Sequence, residues 1–526
     1  CEDRGNRDFF LWMARNRMNY WTAADSDVPF LKKLGMKLAI GTHDLQTRYL
    51  NPKAEYPYST GAATDGAKPP EPYQPSPESQ GDVNGDGKLS YFEAHPEWYG
   101  LRGGKRSDKI QGDQGDNFCT SNPDAVTELT KNLVEGLTKG DWNKSDIVNF
   151  WMEDAGKWCE CGQCGSLGTP TDRLLLLLYQ VNQGVQQAQM DGRLQREVAF
   201  STLAYTETRQ PPSKPLPADF DYEHCSVTFY PIGRCYTHML ADPTCTEFNK
   251  HYADAFRGWA PASGGAWQGS LFLGEYYNVS VYKSLPALYW RTMALDIPWY
   301  WEQGARHFHY MHTLTSKWGT WTLNQYLLAR LLWAPYADVP GILDEYFAQY
   351  YPTTTVETRR FYTELEGALV AITPLKGTLA RRLNTDQTPF PLDHMHYEEY
   401  HPAQNDGPDF LELLDSLERA RTALDEALGK CQEATEKARL LEDEQRFAYA
   451  EATVEFLYQL TCLVAFEQQE NHDLARYAFE KLEAAAERLK QFDSSLIETY
   501  SCPDDGLAAT LALPKYKQLL EKYKAE

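Results

Sequence analysis

Two spacings of apolar residues organise this chain. Up to about residue 350, short apolar runs that read as strands alternate with segments whose apolar positions recur every third or fourth residue. Beyond about Pro352 only the helical spacing continues. Strands are predicted at 20–22, 37–41, 147–152, 198–203, 226–230, 270–274 and 307–312, and helices at 7–19, 28–34, 123–139, 171–190, 246–259 and 286–303. In the helix over 123–139, Val126, Leu129, Leu133 and Leu137 share one face behind a cap at Ser121 or Asn122. Such alternation builds a parallel sheet with helical crossovers, an α/β fold. No strand is followed by a glycine-rich phosphate loop, so a (β/α)8 TIM barrel is favoured over an open doubly wound sheet. Seven strands are visible and the chain opens on a helix, which places an eighth at or before Cys1. Residues 1–350 are expected to form the barrel, with a long insertion at about 43–118, and residues 351–526 an all-α helical C-terminal domain.

Two of these strands end on acids. The run over 147–152 leads into Glu153-Asp154, and the run over 270–274 into Glu275-Tyr276-Tyr277. With the missing strand counted as the first, Glu153 closes the fourth strand and Glu275 the seventh. The C-terminal strand tips are where a barrel of this kind carries its chemistry. Two carboxyl groups facing across a sugar are the minimal machinery of glycoside hydrolysis, one protonated at the leaving oxygen and one negative. Glu153 is therefore the expected general acid/base and Glu275 the nucleophile or charge stabiliser. Asp154 is a third candidate, able to orient a substrate N-acetyl group that acts as its own nucleophile. Strict alternation points Glu153 and Asp154 in opposite directions, so both can enter one pocket only through a twist or bulge. Other strand ends offer hydroxyl-binding groups: His43 and Asp44, Tyr205 and Glu207, Tyr230 and Arg234, Tyr276 and Tyr277, His309 and His312. A lone histidine at such a place is more often a hydrogen-bonded wall than a catalyst.

The insertion adds a metal site. Residues 82–93 match a calcium-binding loop, with oxygen donors in Asp82, Asn84 and Asp86 at the first, third and fifth positions, Gly87 at the turn and Glu93 closing. Lys88 would contribute its backbone carbonyl and Ser90 its hydroxyl, directly or through water. The proline-rich segment before the loop cannot be a helix, so the expectation is one structural calcium rather than a paired sensor. Further on, His95, Trp98 and Arg106 read as a substrate wall, or, for Trp98, equally as a hydrophobic plug.

Composition narrows the class. A net charge of −23 excludes nucleic acid as the partner, because nothing here could neutralise a phosphate backbone. No uninterrupted apolar stretch approaches the ~18 residues of a membrane span. Fourteen Trp, 33 Tyr and 22 Phe suit stacking on sugar faces, although most aromatics in any protein are core. Eleven cysteines include Cys159, Cys161 and Cys164, which with Cys119 could hold zinc or form disulfides; either would brace the loop after the Glu153 strand. Cys1 reads as a lipidated N-terminus exposed by processing or as the first residue of a fragment. The short His307-Phe308-His309 and His394-Met395-His396 pairs make a zinc hydrolase a weak alternative.

Several motifs together resemble one family. They are the opening Trp12-Met13-Ala14-Arg15-Asn16-Arg17-Met18-Asn19, the His95-Pro96-Glu97-Trp98 loop ending in Gly104-Lys105-Arg106, and the Phe118-Cys119-Thr120-Ser121-Asn122-Pro123 turn. The cysteine cluster after an acidic strand end, Glu275-Tyr276-Tyr277, and the segment from Asn324-Gln325-Tyr326 to Leu332-Trp333 complete the set. Over about residues 2–350 the chain is similar to the large bacterial family called domain of unknown function 4838, part of which is glycoside hydrolase family 163. The resemblance implies a secreted, periplasmic or surface-lipoprotein barrel hydrolase with endo-β-N-acetylglucosaminidase activity on complex N-glycans, taking an oligosaccharide or glycoprotein glycan as substrate. Many members carry a single Asp where this chain has Glu153-Asp154, and the calcium loop is not a family hallmark. An α-glucuronidase-like hydrolase is the alternative enzyme, with Arg102, Lys105 and Arg106 available for a carboxylate. A non-catalytic glycan-binding protein on the same scaffold is the alternative outside enzymes. The oligomeric state is left open.

Overall fold

The structure, a computed structural model, describes the chain except residues 1–5, 61–67, 112–113, 155, 237, 247–248, 278–284, 311–317, 371–409, 493–510, 512 and 526. Seven parallel strands form one sheet in strictly sequential order. They are β1 (Tyr20–Thr22), β2 (Lys37–Ile40), β3 (Ile147–Asn149), β4 (Ala199–Ala204), β5 (Cys225–Phe229), β6 (Leu271–Glu275) and β7 (His307–Tyr310). The helices Pro123–Thr138, Pro170–Met190, Lys250–Trp259 and Trp290–Glu302 fill the crossovers between them. Sequential parallel order with helices in the crossovers, except between β4 and β5 where the helical segment is only the 3-10 turn Thr206–Thr208, curls a sheet towards closure. The outer strands approach each other: the rings of Tyr20 on β1 and His309 on β7 lie 5.2 Å apart. β1 and β7 are not hydrogen-bonded to one another, so a seam remains where the sequence pattern places an eighth strand. The first helix, Arg7–Arg15, closes over that seam with Phe9 and Trp12 packed on Trp318.

Local sequence chemistry sets the crossover helices. Asn122 caps Pro123–Thr138 by accepting the N–H groups of Asp124 and Ala125, and proline at the first position has no N–H to leave unpaired. Thr169 and Asp172 form a reciprocal capping box at the start of Pro170–Met190. Period-two alternation then sorts the strand residues. On β6, Leu271 and Leu273 belong to the buried cluster that includes Phe256 and Trp267, with Leu273 also touching the cavity, while Phe272 lines the cavity and stacks on His307. The interior is partly polar: Ser201 and Thr228 share a hydrogen bond of 2.8 Å, and the Tyr20 hydroxyl donates to Asn149 Oδ1 at 3.2 Å.

The insertion folds as a small aromatic unit on the barrel. Tyr58, Tyr73 and Tyr91 each donate a hydroxyl at 2.8 Å to the carboxylate of Glu128, which is buried on the helix Pro123–Thr138. After the barrel come helices Trp321–Trp333, Val339–Tyr350, Thr355–Val370, Phe410–Lys430, Ala434–Gln468, His472–Leu489 and Pro514–Ala525. Their buried faces join the crossover helix Trp290–Glu302 and several strand-end residues in one hydrophobic cluster, separate from the cluster that packs the helices Pro123–Thr138, Pro170–Met190 and Lys250–Trp259. No helix among the described residues is long and apolar enough to cross a membrane.

Candidate active site

A cavity of about 1170 Å³ occupies the barrel interior. It is larger than the ~300–1,000 Å³ of most small-molecule sites. Its lining includes Lys37 and His307 at the strand starts as well as His43, Asp154, Tyr205 and His309 at the strand ends, so it runs the length of the strands along the seam. The strand-end side is an aromatic ring. Trp151 lies 5.3 Å from His43 and 5.7 Å from Tyr230, and Tyr230 lies 5.9 Å from Tyr276. Tyr230 Oη and His309 Nδ1 share a hydrogen bond of 2.6 Å. Close approach across the ring requires Gly274, because a Cβ there would stand 2.0 Å from the Tyr230 ring. His43 Nδ1 lies 2.5 Å from the Met152 carbonyl, which can only accept; the proton therefore sits on Nδ1 and leaves Nε2 as an acceptor in the neutral ring. Arg17, which lines the cavity, and Thr206, next in sequence to the cavity residue Tyr205, take left-handed φ angles of 62° and 41°. For a β-branched threonine this is a strained conformation of the kind that collects around functional sites.

The acids at the strand ends part company. The chain leaves the sheet after Asn149, and Trp151 and Asp154 enter the cavity while Glu153 does not line it. Glu153 is 5% exposed and stands against the insertion. A Cβ on Gly115 would lie 3.3 Å from its Oε2, and one on Gly156 would lie 2.8 Å from its Cβ. Its backbone N–H donates to Asn117 Oδ1 at 3.0 Å, which ties the acidic loop to the end of the insertion. Glu275 is also outside. It shares the outward face of β6 with Leu271 and Leu273 and is fully buried against the helix Trp290–Glu302. There Arg234 Nη1 donates to Glu275 Oε1 at 2.7 Å and to Asp296 Oδ2 at 2.6 Å. Tyr236 and Tyr300 donate their hydroxyls to Glu275, and Tyr277 donates to Asp296. Burial pushes the Glu275 carboxyl up from its ordinary range, more than the Arg234 guanidinium draws it down. Tyr276, one residue on, takes the inward face that the nucleophile was expected to occupy. The reason is the strand period: an acid two residues beyond an outward leucine also points outward.

Of the other residues singled out from sequence, the structure gathers His43, Asp44, Tyr205, Tyr230, Tyr276 and His309 at the cavity. Asp44 accepts from Arg48 Nε and from the Thr42 N–H. Tyr277 belongs to the buried Asp296 network, and His312 lies outside the described residues, as do His394 and His396. His95 and Trp98 are not a substrate wall. Both are buried, and their rings stack at 4.1 Å inside the insertion, His95 also bonding Glu97 and Tyr56. Arg106 is held by a two-pronged pair with Glu78 and Arg102 by Glu160, so neither reaches the cavity. Sequence reading missed Trp151, Tyr20, Asn149, Arg17 and Gln325 on the cavity wall. Trp151 was not legible from alternation, because the strand ends at Asn149 and Glu153, two residues further on, does not line the cavity. Gln325 had no signal, because its placement depends on a helix packed along the seam.

The loop 82–93, expected to bind calcium, is held together by its own side chains. Asp82 accepts the N–H groups of Gly85 and Gly87 at 2.7 and 2.8 Å, Asn84 that of Asp86, and Asp86 that of Lys88. Gly85 and Gly87 take φ angles of 73° and 83°, which only glycine adopts without strain. Glu93 spans the ring, Oε1 accepting from Val83 and Asn84 and Oε2 from Ser90. Lys88 Nζ pairs with Glu55. A ring of hard oxygen donors of this kind suits calcium.

A sequential parallel sheet curled around a large, aromatic-walled cavity defines a (β/α) barrel-type protein. Residues 85–364, just over half of the chain, match the family model described as Domain of unknown function (DUF4838), and the chain belongs to that family. No curated protein matches it. Among solved structures, one it is similar to is a GH138 enzyme targeting pectin rhamnogalacturonan II, at 10% identity and TM-score 0.50, covering 92% of this chain and 57% of that one. Another is a family GH115 4-O-methyl-α-glucuronidase with specificity for decorated arabinogalactans, at 9% identity and TM-score 0.51, covering 95% of this chain and 56% of that one. The chain thus spans somewhat over half the length of both, and the likeness is one of fold.

Proposed function

We propose that this protein is a glycoside hydrolase that cleaves an N-acetylhexosamine linkage, an endo-β-N-acetylglucosaminidase of complex N-glycans, with Asp154 serving the glycosidic oxygen. The observation that carries the reading is that Asp154 lines an aromatic-walled barrel cavity while Glu153 and Glu275 stand outside it. Trp151, Tyr205, Tyr230 and Tyr276 offer ring faces to the C–H faces of sugars. Among the described residues the cavity's other carboxylate is Asp44, which is committed to Arg48. The segments 278–284 and 311–317, which follow β6 and β7, contain no Asp or Glu. A site with one uncommitted carboxylate suits a substrate whose own acetamido oxygen attacks the anomeric carbon, with Asp154 protonating the departing oxygen and then deprotonating water. His43 Nε2 and the Tyr230–His309 pair are placed to bind hydroxyls. Calcium in loop 82–93 belongs to the same proposal as a staple of the insertion that Glu153 leans on.

Product analysis on complex N-glycans and aryl glycosides tests it, with wild type beside Asp154→Asn and Glu153→Gln. Release of an oligosaccharide ending in N-acetylglucosamine is expected, lost in Asp154→Asn and retained in Glu153→Gln. Replacing the N-acetyl group by N-trifluoroacetyl should slow turnover, because the weaker carbonyl nucleophile takes part in the attack. Turnover of glucuronides alone would instead identify a uronidase, and glycan binding with no turnover a binding module.

A further inference from the structure

We infer that Cys119, Cys159, Cys161 and Cys164 form a structural zinc site that clamps the insertion to the loop carrying Asp154. Their four sulfur atoms lie within 4.8 Å of one another. Cys119 Sγ is 3.7 Å from both Cys161 Sγ and Cys164 Sγ. A zinc–thiolate bond of ~2.3 Å sets the edge of a tetrahedral four-sulfur site at about 3.8 Å, whereas a disulfide needs sulfurs about 2.05 Å apart. The spacing is that of a shared ion, and the four cysteines form no disulfide. Three are buried, and the four sulfurs cluster beside Leu101 with the Ser121 hydroxyl 3.1 Å from Cys164 Sγ and 3.4 Å from Cys119 Sγ. Backbone N–H groups already point at the sulfurs, from Leu101 to Cys159 Sγ at 3.3 Å and from Cys164 to Cys161 Sγ at 3.4 Å. Such donors offset the charge of metal-bound thiolates and orient them. All four positions are filled by protein, leaving no open one, which makes the site structural rather than catalytic.

The clamp has a mechanical consequence. Cys119 ends the insertion two residues after Asn117, and Asn117 accepts the Glu153 N–H and donates its own backbone N–H to Lys157 O. The metal therefore fixes both sides of the turn that aims Asp154 into the cavity.

Metal analysis of the purified full-length chain tests the inference. About one zinc per chain is expected at this site, lost in the double variant Cys161→Ser/Cys164→Ser. Because that variant may lose its fold, the unmutated protein is also titrated with an organomercurial, and zinc release is followed with a chromophoric chelator. Release should run in step with modification of about four thiols. Substitution by cobalt(II) should give the absorption of a tetrahedral thiolate site. An unchanged zinc content in the double variant, a metal-free wild type whose four cysteines are oxidised in pairs, or an iron–thiolate spectrum would each overturn the assignment. The metal readouts do not depend on turnover, so a failed glycosidase reading leaves this inference standing, and the reverse also holds.

Discussion

At the scale of single residues, Asp154 and Glu275 are acids at strand ends placed in opposite surroundings, so removing their charges should have different effects. Arg234 is fully buried between Glu275 and Asp296, with tyrosine hydroxyls from Tyr236, Tyr277 and Tyr300 completing the network. Breaking a buried ion pair costs roughly 3–5 kcal/mol because the remaining charge is stranded. Arg234→Met, which leaves two carboxylates facing each other, is expected to lower unfolding free energy by about that amount. Glu275→Gln keeps the Arg234–Asp296 pair and should cost less, with the folded fraction retaining its kcat. Chemical denaturation read beside single-turnover kinetics checks both, and loss of kcat in a fully folded Glu275→Gln would restore Glu275 to the reaction. The acids at the ends of strands were legible in the sequence; their directions were only half so. On β6 the outward leucines at 271 and 273 already sent Glu275 away from the interior. At Glu153 the strand ends at Asn149, and no period carries across the irregular turn that follows.

Among elements, the insertion shows how local signals and long-range packing divide the work. The loop 82–93 stood out in the sequence because calcium ligation would require its residue types at fixed offsets, and its turns follow from its Asp, Asn and Gly residues. His95 was not readable as core, and Trp98 only as one of two equal readings, because much of the aromatic packing around them comes from Tyr56 and Tyr73, which are distant in sequence. The seven barrel strands were legible for the opposite reason, since most are short runs rich in apolar, aromatic or β-branched residues that signal a strand locally. If calcium binds the native loop and not the unfolded chain, it stabilises by mass action, by about 2.7 kcal/mol at a hundred times Kd. Thermal melts with calcium and with a chelator should therefore differ, the chelated form melting lower. Asp82→Ala should abolish the difference, since Asp82 organises the N–H groups of both glycines as well as supplying the first ligand. Equal melting points under both conditions would remove calcium from the insertion.

On the scale of the whole molecule, the C-terminal helices share one buried cluster with the helix Trp290–Glu302 and the cavity wall, and the acids buried in it give the fold a pH dependence. The long helix Ala434–Gln468 reaches back to the barrel, where the Arg446 guanidinium lies 4.1 Å over Trp321, at the start of the helix that walls the cavity. One helical step away, Asp443 is buried beneath the hydroxyls of Tyr351 and Tyr362, and burial pushes its carboxyl up to about 8. Burial likewise raises Glu366 to about 7, against the pull of Arg291. In the unfolded chain both groups titrate near 4. The folded state therefore holds more protons than the unfolded one between about pH 4 and about pH 8, and stability must fall as pH rises through that window. Carboxylates held low in the fold, such as Glu128 beneath its three tyrosines and Asp172 in its capping box, act with the opposite sign. Their contribution is present above about pH 4 and lost as pH falls below it. Together the two sets place the stability maximum on the acid side of neutrality. Melting temperature is expected to decline steadily from about pH 5.5 to about pH 8.5. In Asp443→Asn the decline should be shallower, since the amide keeps an acceptor for the tyrosines and carries no charge at any pH. Because Arg446 couples this helix to Trp321, near-ultraviolet circular dichroism from the aromatic barrel should change in the same transition as far-ultraviolet signal from the helices. An unaltered slope in Asp443→Asn would mean that the pH dependence arises elsewhere in the chain.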